Sequence, residues 1–309
     1  MSPDGMWSIG ELAEHAGVTV KTVRFYSDRG LLPETTRSTG GHRRYGPEAL
    51  DRLHLIRSLR TLDLPVSEVG RVLDHEDTLE DVIAEQLREL GSQLTALRWR
   101  EAALQLLRDS TAHERPDRLR LIGAVTTPPD TAALARFWRR TLPARLPARL
   151  ASMVLDAAVP QLPADPTPAQ VLAFARLHAI ATAPCPATNP RRPDEDYRPA
   201  VLYDGLGEAY ALASMDLRAQ RPPHEGEALD CFVSAHAHSR GTRDTPAFRR
   251  RLAGLLARSA DPVIIRYWQL AAELSGPAEP TAGAAHYWLC VALKAQIARP
   301  APVPGGPTQ

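Results

Sequence analysis

The chain has little cysteine, no long apolar run and no signature of a catalytic fold. Its three cysteines, Cys185, Cys231 and Cys290, are far apart and odd in number, which argues against a disulfide framework and against a paired metal motif. No stretch approaches the roughly 18 uninterrupted apolar residues of a membrane helix, and Met1–Met6 lacks the basic start and apolar run of a secretory leader. A cytoplasmic protein with no membrane partner is expected. Nucleophile elbow, P-loop, Rossmann glycine pattern and H-E-x-x-H are all missing, and His178, Glu208 and Asp216 are isolated polar residues within helical patterns. His236 and His238 stand two apart, with His224 nearby, and positions i and i+2 do not share a helix face. Neither catalysis, nor a cofactor, nor a metal is expected.

What is present is length and local charge. At 309 residues and 44% hydrophobic content the chain suggests two domains with substantial cores. The net charge of +1 is uninformative, but Val20–Arg60 holds nine basic residues against four acids, a local +5. From Glu76 to Ser110 the balance reverses to four basic residues and eight acids, or −4. A basic head followed by an acidic helix reads as one polyanion-binding face and a solvated spacer.

Trp7–Ser8 opens a short helix through the capping box S-I-G-E, in which Ser8 and Glu11 each satisfy a backbone N–H of the other. Gly17 supplies a left-handed terminus, and Thr19 caps a second helix running to about Arg29. Val20, Val23 and part of Tyr26 face inward; Lys21, Thr22, Arg24 and Phe25 face outward. Two short helices joined by a glycine turn form a helix-turn-helix whose second helix suits a major groove. Thr35–Gly46, turning at Gly40-Gly41, reads as a hairpin or wing carrying Arg43, Arg44 and Tyr45, residue types that pair with phosphate. Pro47 starts a third helix bearing Leu50, Leu53, Ile56 and Arg60. After Asp63-Leu64-Pro65, Ser67 caps a fourth.

The string W-S-I-G-E-L-A-E-H-A-G-V-T-V-K-T-V-R-F-Y-S-D-R-G-L-L-P, the later G-G-H-R-R-Y, and R-S-L-R-T-L-D-L-P-V-S-E-V resemble, in order and spacing, the opening of MerR-family regulators. They cover Trp7–Leu73. Asp63 stands where that family commonly has glycine. The resemblance implies that Lys21, Thr22, Arg24, Phe25 and Tyr26 lie along or beside the major groove of double-stranded promoter DNA. It also implies that Arg43, Arg44 and Tyr45 hold flanking backbone and that Arg60 contacts phosphate.

In Thr78–Asp109, Ile83, Leu90, Leu97 and Leu104 recur every seven residues, with Leu87 and Leu94 in the companion positions. That is a coiled-coil seam, read either as a helix packed on its own domain or as a dimer contact, since a narrow seam ringed by charge needs a partner helix. The resemblance implies an antiparallel homodimer. A two-fold dimer reads a palindromic site. By the same resemblance, the site is a promoter whose overlong spacer is bent and untwisted so that RNA polymerase engages both elements.

From about Pro116 the chain is rich in alanine, leucine, arginine and proline, and strand signals are scarce. Helices are predicted near Thr131–Leu142, Leu146–Val159, Pro168–Ala181, Pro199–Arg218, Gly226–Ser239, Pro246–Ser259, Val263–Leu274 and Ala282–Ile297. A long loop is predicted over Ala183–Asp196 and a disordered tail over 300–309. The organisation is thus a mainly all-α chain: a winged helix-turn-helix (7–75), a dimerisation helix (76–110) and a helical effector domain (116–299). Trp138, Tyr203, Tyr210, Tyr267, Trp268, Tyr287 and Trp288 are candidates either for its core or for a pocket taking a small apolar or aromatic molecule. The expected function is a ligand-responsive activator. A ligand-independent repressor or architectural DNA-bending protein, and an enzymatic C-terminal domain, are the alternatives.

Overall fold

The computed structural model describes residues 5–74, 79–184, 197–276 and 280–299. Most of the loop predicted over 183–196, Cys185 and the tail at 300–309 lie outside these residues. The chain divides into two compact units, 1–93 and 94–309. Among the described residues no helix is long and apolar enough to cross a membrane.

The first unit comprises β1 (Trp7–Ser8), α1 (Ile9–His15), α2 (Val20–Asp28), β2 (Thr36–Arg37), β3 (Arg43–Tyr45), α3 (Glu48–Thr61), α4 (Val66–Asp74) and the first part of α5 (Leu79–Arg108). Three strands form an antiparallel sheet in the order β1-β3-β2, pairing Trp7 with Tyr45 and Arg37 with Arg43. Trp7–Ser8 was expected to open a helix; it is instead a strand edge, and the helix follows it. The capping box forms: the Ser8 N–H donates to Glu11 Oε2 at 2.7 Å and the Glu11 N–H to Ser8 Oγ at 3.3 Å. Thr19 Oγ1 accepts from the Thr22 N–H at 3.1 Å. α4 begins at Val66, so Ser67 lies inside its first turn.

Leu12, Val23, Leu32, Tyr45, Leu53, Ile56, Leu64 and Val69 are buried in one cluster with Tyr26. Burying such side chains stabilises by about 1.5–3 kcal/mol each. Val23 and Tyr26 therefore fix the rotation of α2 about its axis and leave Lys21, Arg24 and Phe25 outside. Val20, expected inward, is 40% exposed; it precedes Val23 by nearly a full turn, at the helix start. Asp63 has φ +59. The turn between α3 and α4 needs a left-handed residue, and aspartate is among the few non-glycine residues that tolerate that conformation.

The second unit contains the rest of α5, α6 (Arg115–Gly123), α7 (Ala132–Thr141), α8 (Ala148–Ala158), α9 (Pro168–Thr182), α10 (Pro199–Arg218), α11 (Glu227–His238), α12 (Pro246–Ser259), α13 (Pro262–Ser275) and α14 (Ala282–Ala298). α6 was not predicted: its pattern R-P-D-R-L-R-L-I-G leaves no residue fully buried, so it lacks an apolar stripe. The remaining helices lie within a few residues of expectation. Two cores form. One joins Trp99, Ala102 and Leu106 of α5 to Leu134, Phe137, Trp138, Phe174, Leu177, Tyr267 and Leu270. The other joins α10, α11, α12 and α14 around Leu206, Phe232, Leu252, Trp288 and Leu289. Where α13 meets α14, Gly283 lies flat against the Trp268 indole, and a Cβ there would stand 2.1 Å from the ring.

Candidate nucleic-acid interface

Of the residues expected to touch DNA, Lys21, Arg24 and Phe25 lie on the outer face of α2. Lys21 and Arg24 have no ion pair among the described residues. Phe25 is 41% exposed, and the Arg29 guanidinium lies 4.4 Å from its ring centroid. Thr22 is half-buried and its hydroxyl is 2.9 Å from that of Thr19. Arg24 shares a concavity with Ser8, Ile9 and Gly10 at the start of α1, with Asp28, and with Gly41, His42, Arg43 and Arg44 of the wing. Gly41, at φ +78, makes the wing's tight turn.

Other expected contacts are spent inside the fold. Tyr45 is fully buried, and its hydroxyl donates to Ser27 Oγ at 3.0 Å. Tyr26 is likewise buried. Both aromatics serve the core, because the sheet and α2 close over them. Arg60 donates to the Leu64 carbonyl, which ties down the turn around Asp63. Arg57 donates to the Ala16 carbonyl at 2.6 Å and Arg52 to the Leu31 carbonyl at 2.7 Å; both carbonyls lie just past helix ends, where cations are favoured.

Arg43 is braced. Its guanidinium donates to Asp28 Oδ1 at 2.6 Å and lies 3.1 Å from Glu34 Oε2. The Asp28 hydrogen bond pushes its pKa above the ordinary arginine value. Glu34 also holds Arg37 at 2.7 Å. Two acids and two bases thus join the wing to the C-terminal end of α2, with no net charge. Arg44 lies 3.9 Å from Glu11, whose carboxyl is held below its usual range by the Ser8 N–H. The local +5 of the sequence therefore overstates the charge offered to a polyanion. Lys21 and Arg24 are its least encumbered members.

Along α5 the seam residues are all solvent-facing: Ile83 is 40% exposed, Leu87 64%, Leu90 50%, Leu94 49%, Leu97 57% and Leu104 61%. The core residues Trp99, Ala102 and Leu106 leave from the far side of the helix. An apolar stripe of this length on a monomer surface is unusual and marks an interaction site.

In the second unit the aromatic candidates mostly fill cores. Trp138 packs edge-on against Tyr267 at 5.2 Å and tilted against Trp268 at 5.2 Å. The Tyr267 hydroxyl donates to the Ala158 carbonyl at 2.8 Å. Trp288 donates to the Arg221 carbonyl at 3.1 Å, and Tyr287 is 71% exposed. The Tyr210 hydroxyl is 3.0 Å from His286 Nδ1, and Cys290 Sγ is 3.5 Å from His286 Nε2. Burial pushes the Cys290 thiol up to about 11 and the His236 imidazole down to about 3, and lowers His286 too. His236 is 5% exposed and its Nε2 has no hydrogen-bond partner among the described residues. The rings of His236 and His286 lie 4.7 and 5.6 Å from that of Phe232. This buried polar group was not foreseen, because its members lie on three helices far apart in sequence. Among the described residues no cluster of three metal-ligating side chains exists.

Residues 7–76 match the family described as MerR HTH family regulatory protein. The chain is 34% identical over 146 residues to the nodulation protein NolA of Bradyrhizobium diazoefficiens, covering 47% of this chain and 59% of that one. It is 31% identical over 121 residues to the HTH-type transcriptional regulator ZntR homolog of Haemophilus influenzae, covering 37% of this chain and 90% of that one. It is 38% identical over 122 residues to the HTH-type transcriptional activator TipA of Streptomyces coelicolor, covering 40% of this chain and 45% of that one. The matched region spans between 37% and 59% of the three nodulation proteins.

Proposed function

We propose, because the chain belongs to the MerR family of helix-turn-helix regulatory proteins, that it is a homodimeric transcription regulator acting on double-stranded promoter DNA. In this reading α2 enters the major groove, with Lys21, Arg24 and Phe25 at base edges and phosphates. The wing lies on flanking backbone through Arg44, braced by Arg43. The observation that carries the reading is the outward, unpaired Lys21–Arg24 face of α2 beside the wing concavity. Arginine forks onto phosphate or guanine, and a helix of this width fits the major groove. Arg24→Ala is expected to weaken duplex binding by about 1–3 kcal/mol per half-site, read by fluorescence anisotropy. Unchanged affinity and salt slope would reject the assignment.

The exposed stripe from Ile83 to Leu104 supports the dimer, since a narrow apolar seam flanked by charge is satisfied by a partner helix. The activating sign is supported by the likeness to TipA, which is named a transcriptional activator. Activation would proceed by distorting an overlong promoter spacer for RNA polymerase, with deformation energy offset by protein contacts. The second unit, with two cores of its own, is more than a dimer stalk requires. We assign it the response to a small apolar or aromatic molecule, supported by the unpartnered Nε2 of His236 beside Phe232, which offers a buried polar handle. A thermal-shift screen of the full chain tests this: a stabilising compound that also alters promoter output supports it, and no stabilisation by any apolar or aromatic class rejects it.

A further inference from the structure

α7 carries Arg136, Arg139 and Arg140 at spacings i, i+3 and i+4 on its outer face, while Ala133, Leu134, Phe137 and Trp138 fill the core from its inner face. Arg145 and Arg149 follow, in the turn to α8 and in its first turn; all five are exposed. From Ala132 to Leu155 there is no aspartate or glutamate. Arg140 donates to the Ala181 carbonyl at 3.0 Å; Arg136, Arg139, Arg145 and Arg149 have no ion pair among the described residues. Some other arginines of the second unit are matched with carboxylates, among them Arg118 with Glu114, Arg120 with Asp117, Arg221 with Asp216, Arg249 with Asp230 and Asp244, and Arg299 with Glu225. The dipole at the C-terminal end of α7 favours Arg139 and Arg140. It does not account for Arg145 and Arg149, which lie at the opposite kind of helix end, nor for Arg136 facing Arg140 as a like-charged i, i+4 pair, which destabilises a helix.

We infer that the arginine face of α7 and the start of α8 is a second polyanion-binding surface, and that its partner is the sugar-phosphate backbone of duplex DNA. The helix's large apolar side chains are turned inward, so its outer face lacks the apolar centre that stable protein interfaces have. A surface of charge alone fits a partner recognised by charge alone, and guanidinium forks match phosphate. The choice of DNA rests on the proposed function, since duplex DNA is the polyanion that this reading already gives the chain.

The test uses the full chain on a mixed-sequence duplex of about 60 bp across a salt series. Arg136, Arg139, Arg145 and Arg149 are replaced by Gln together, and as the pairs 136/139 and 145/149 should the fourfold variant not fold. Each set is made in the natural background and with Lys21→Ala/Arg24→Ala, which disables the head. The inference predicts residual, salt-dependent binding by the head-disabled protein, abolished by the Gln substitutions. In the natural background it predicts a salt slope shallower by about 0.9 for each phosphate that is no longer neutralised. Slopes unchanged by the Gln substitutions in both backgrounds overturn it, as would happen if the patch served an acidic protein. Complete loss of duplex binding in the head-disabled protein also overturns it while leaving the head assignment intact. Should disabling the head change nothing, the reading of α2 fails instead, and loss of binding with the Gln substitutions still supports the arginine face.

Discussion

The bracing of Arg43 makes a prediction of unusual sign. Asp28 and Arg43 meet at 2.6 Å with side chains 53% and 31% exposed, so solvent screens the pair, it contributes little to folding, and variants at either position should fold. Their effect belongs to DNA binding. Each phosphate contact steepens the log–log salt dependence by about 0.9, or about 1.8 for two protomers. Between about 50 and 200 mM salt a slope difference of about 1.8 amounts to roughly tenfold in affinity. With the guanidinium cancelled by its carboxylate, Arg43→Gln exposes a negative charge and flattens the slope, whereas Asp28→Asn exposes a positive charge and steepens it. The double variant, neutral like the natural pair, returns to the natural slope. Fluorescence anisotropy on one duplex at five salt concentrations resolves the four proteins. If the double variant is as flat as Arg43→Gln alone, Arg43 itself holds a phosphate and the bracing argument is wrong.

Leu90→Glu with Leu94→Glu puts charge into the seam and should convert a dimer into a folded monomer by sedimentation equilibrium; a dimer that persists would reject the α5 interface. Asp63→Gly relieves a left-handed aspartate and should raise stability to urea by about 0.5–1 kcal/mol, where a loss would show that the Asp63 side chain is needed. Gly283→Ala, which in an ordinary helix gains about 1 kcal/mol, should instead lose about 1–3 kcal/mol because its Cβ meets Trp268; a gain in Tm would contradict that packing. His236 has a folded pKa near 3 against an ordinary value of 6.5. Above about pH 6.5 its contribution is complete, and as pH falls below that the unfolded chain alone takes the proton. Stability then declines by about 1.4 kcal/mol per pH unit, and His236→Gln should lessen the slope of Tm between pH 6 and 4.

The head of this protein was legible in sequence because local rules and tertiary packing agree there. Ser8, Thr19, Gly17 and Gly41 each demand one backbone state and receive it. What the sequence could not show is which cations remain available. Arg43, Arg52, Arg57 and Arg60 look alike in a charge count, and only the fold reveals that their partners are Asp28 and the carbonyls of Leu31, Ala16 and Leu64. Tyr45 misled for a related reason: a phenol suits a phosphate contact or a core, and the closing of β3 over Ser27 decides for the core. The seam of α5 was visible from its heptads, since Leu90 and Leu97 recur whether or not a partner is present. The polar group of Tyr210, His236, His286 and Cys290 was invisible, because it is assembled from α10, α11 and α14 with no local motif.

The central claim is that two copies of α2 read one duplex. Its most direct test is selection of duplexes from a random-sequence pool by the full chain, followed by sequencing of the bound fraction. The account predicts enrichment of a two-fold symmetric sequence with half-sites about one helical turn apart, or a multiple of it, and loss of that enrichment with Arg24→Ala. An unenriched pool, or an asymmetric single half-site bound equally well by Arg24→Ala, would contradict it.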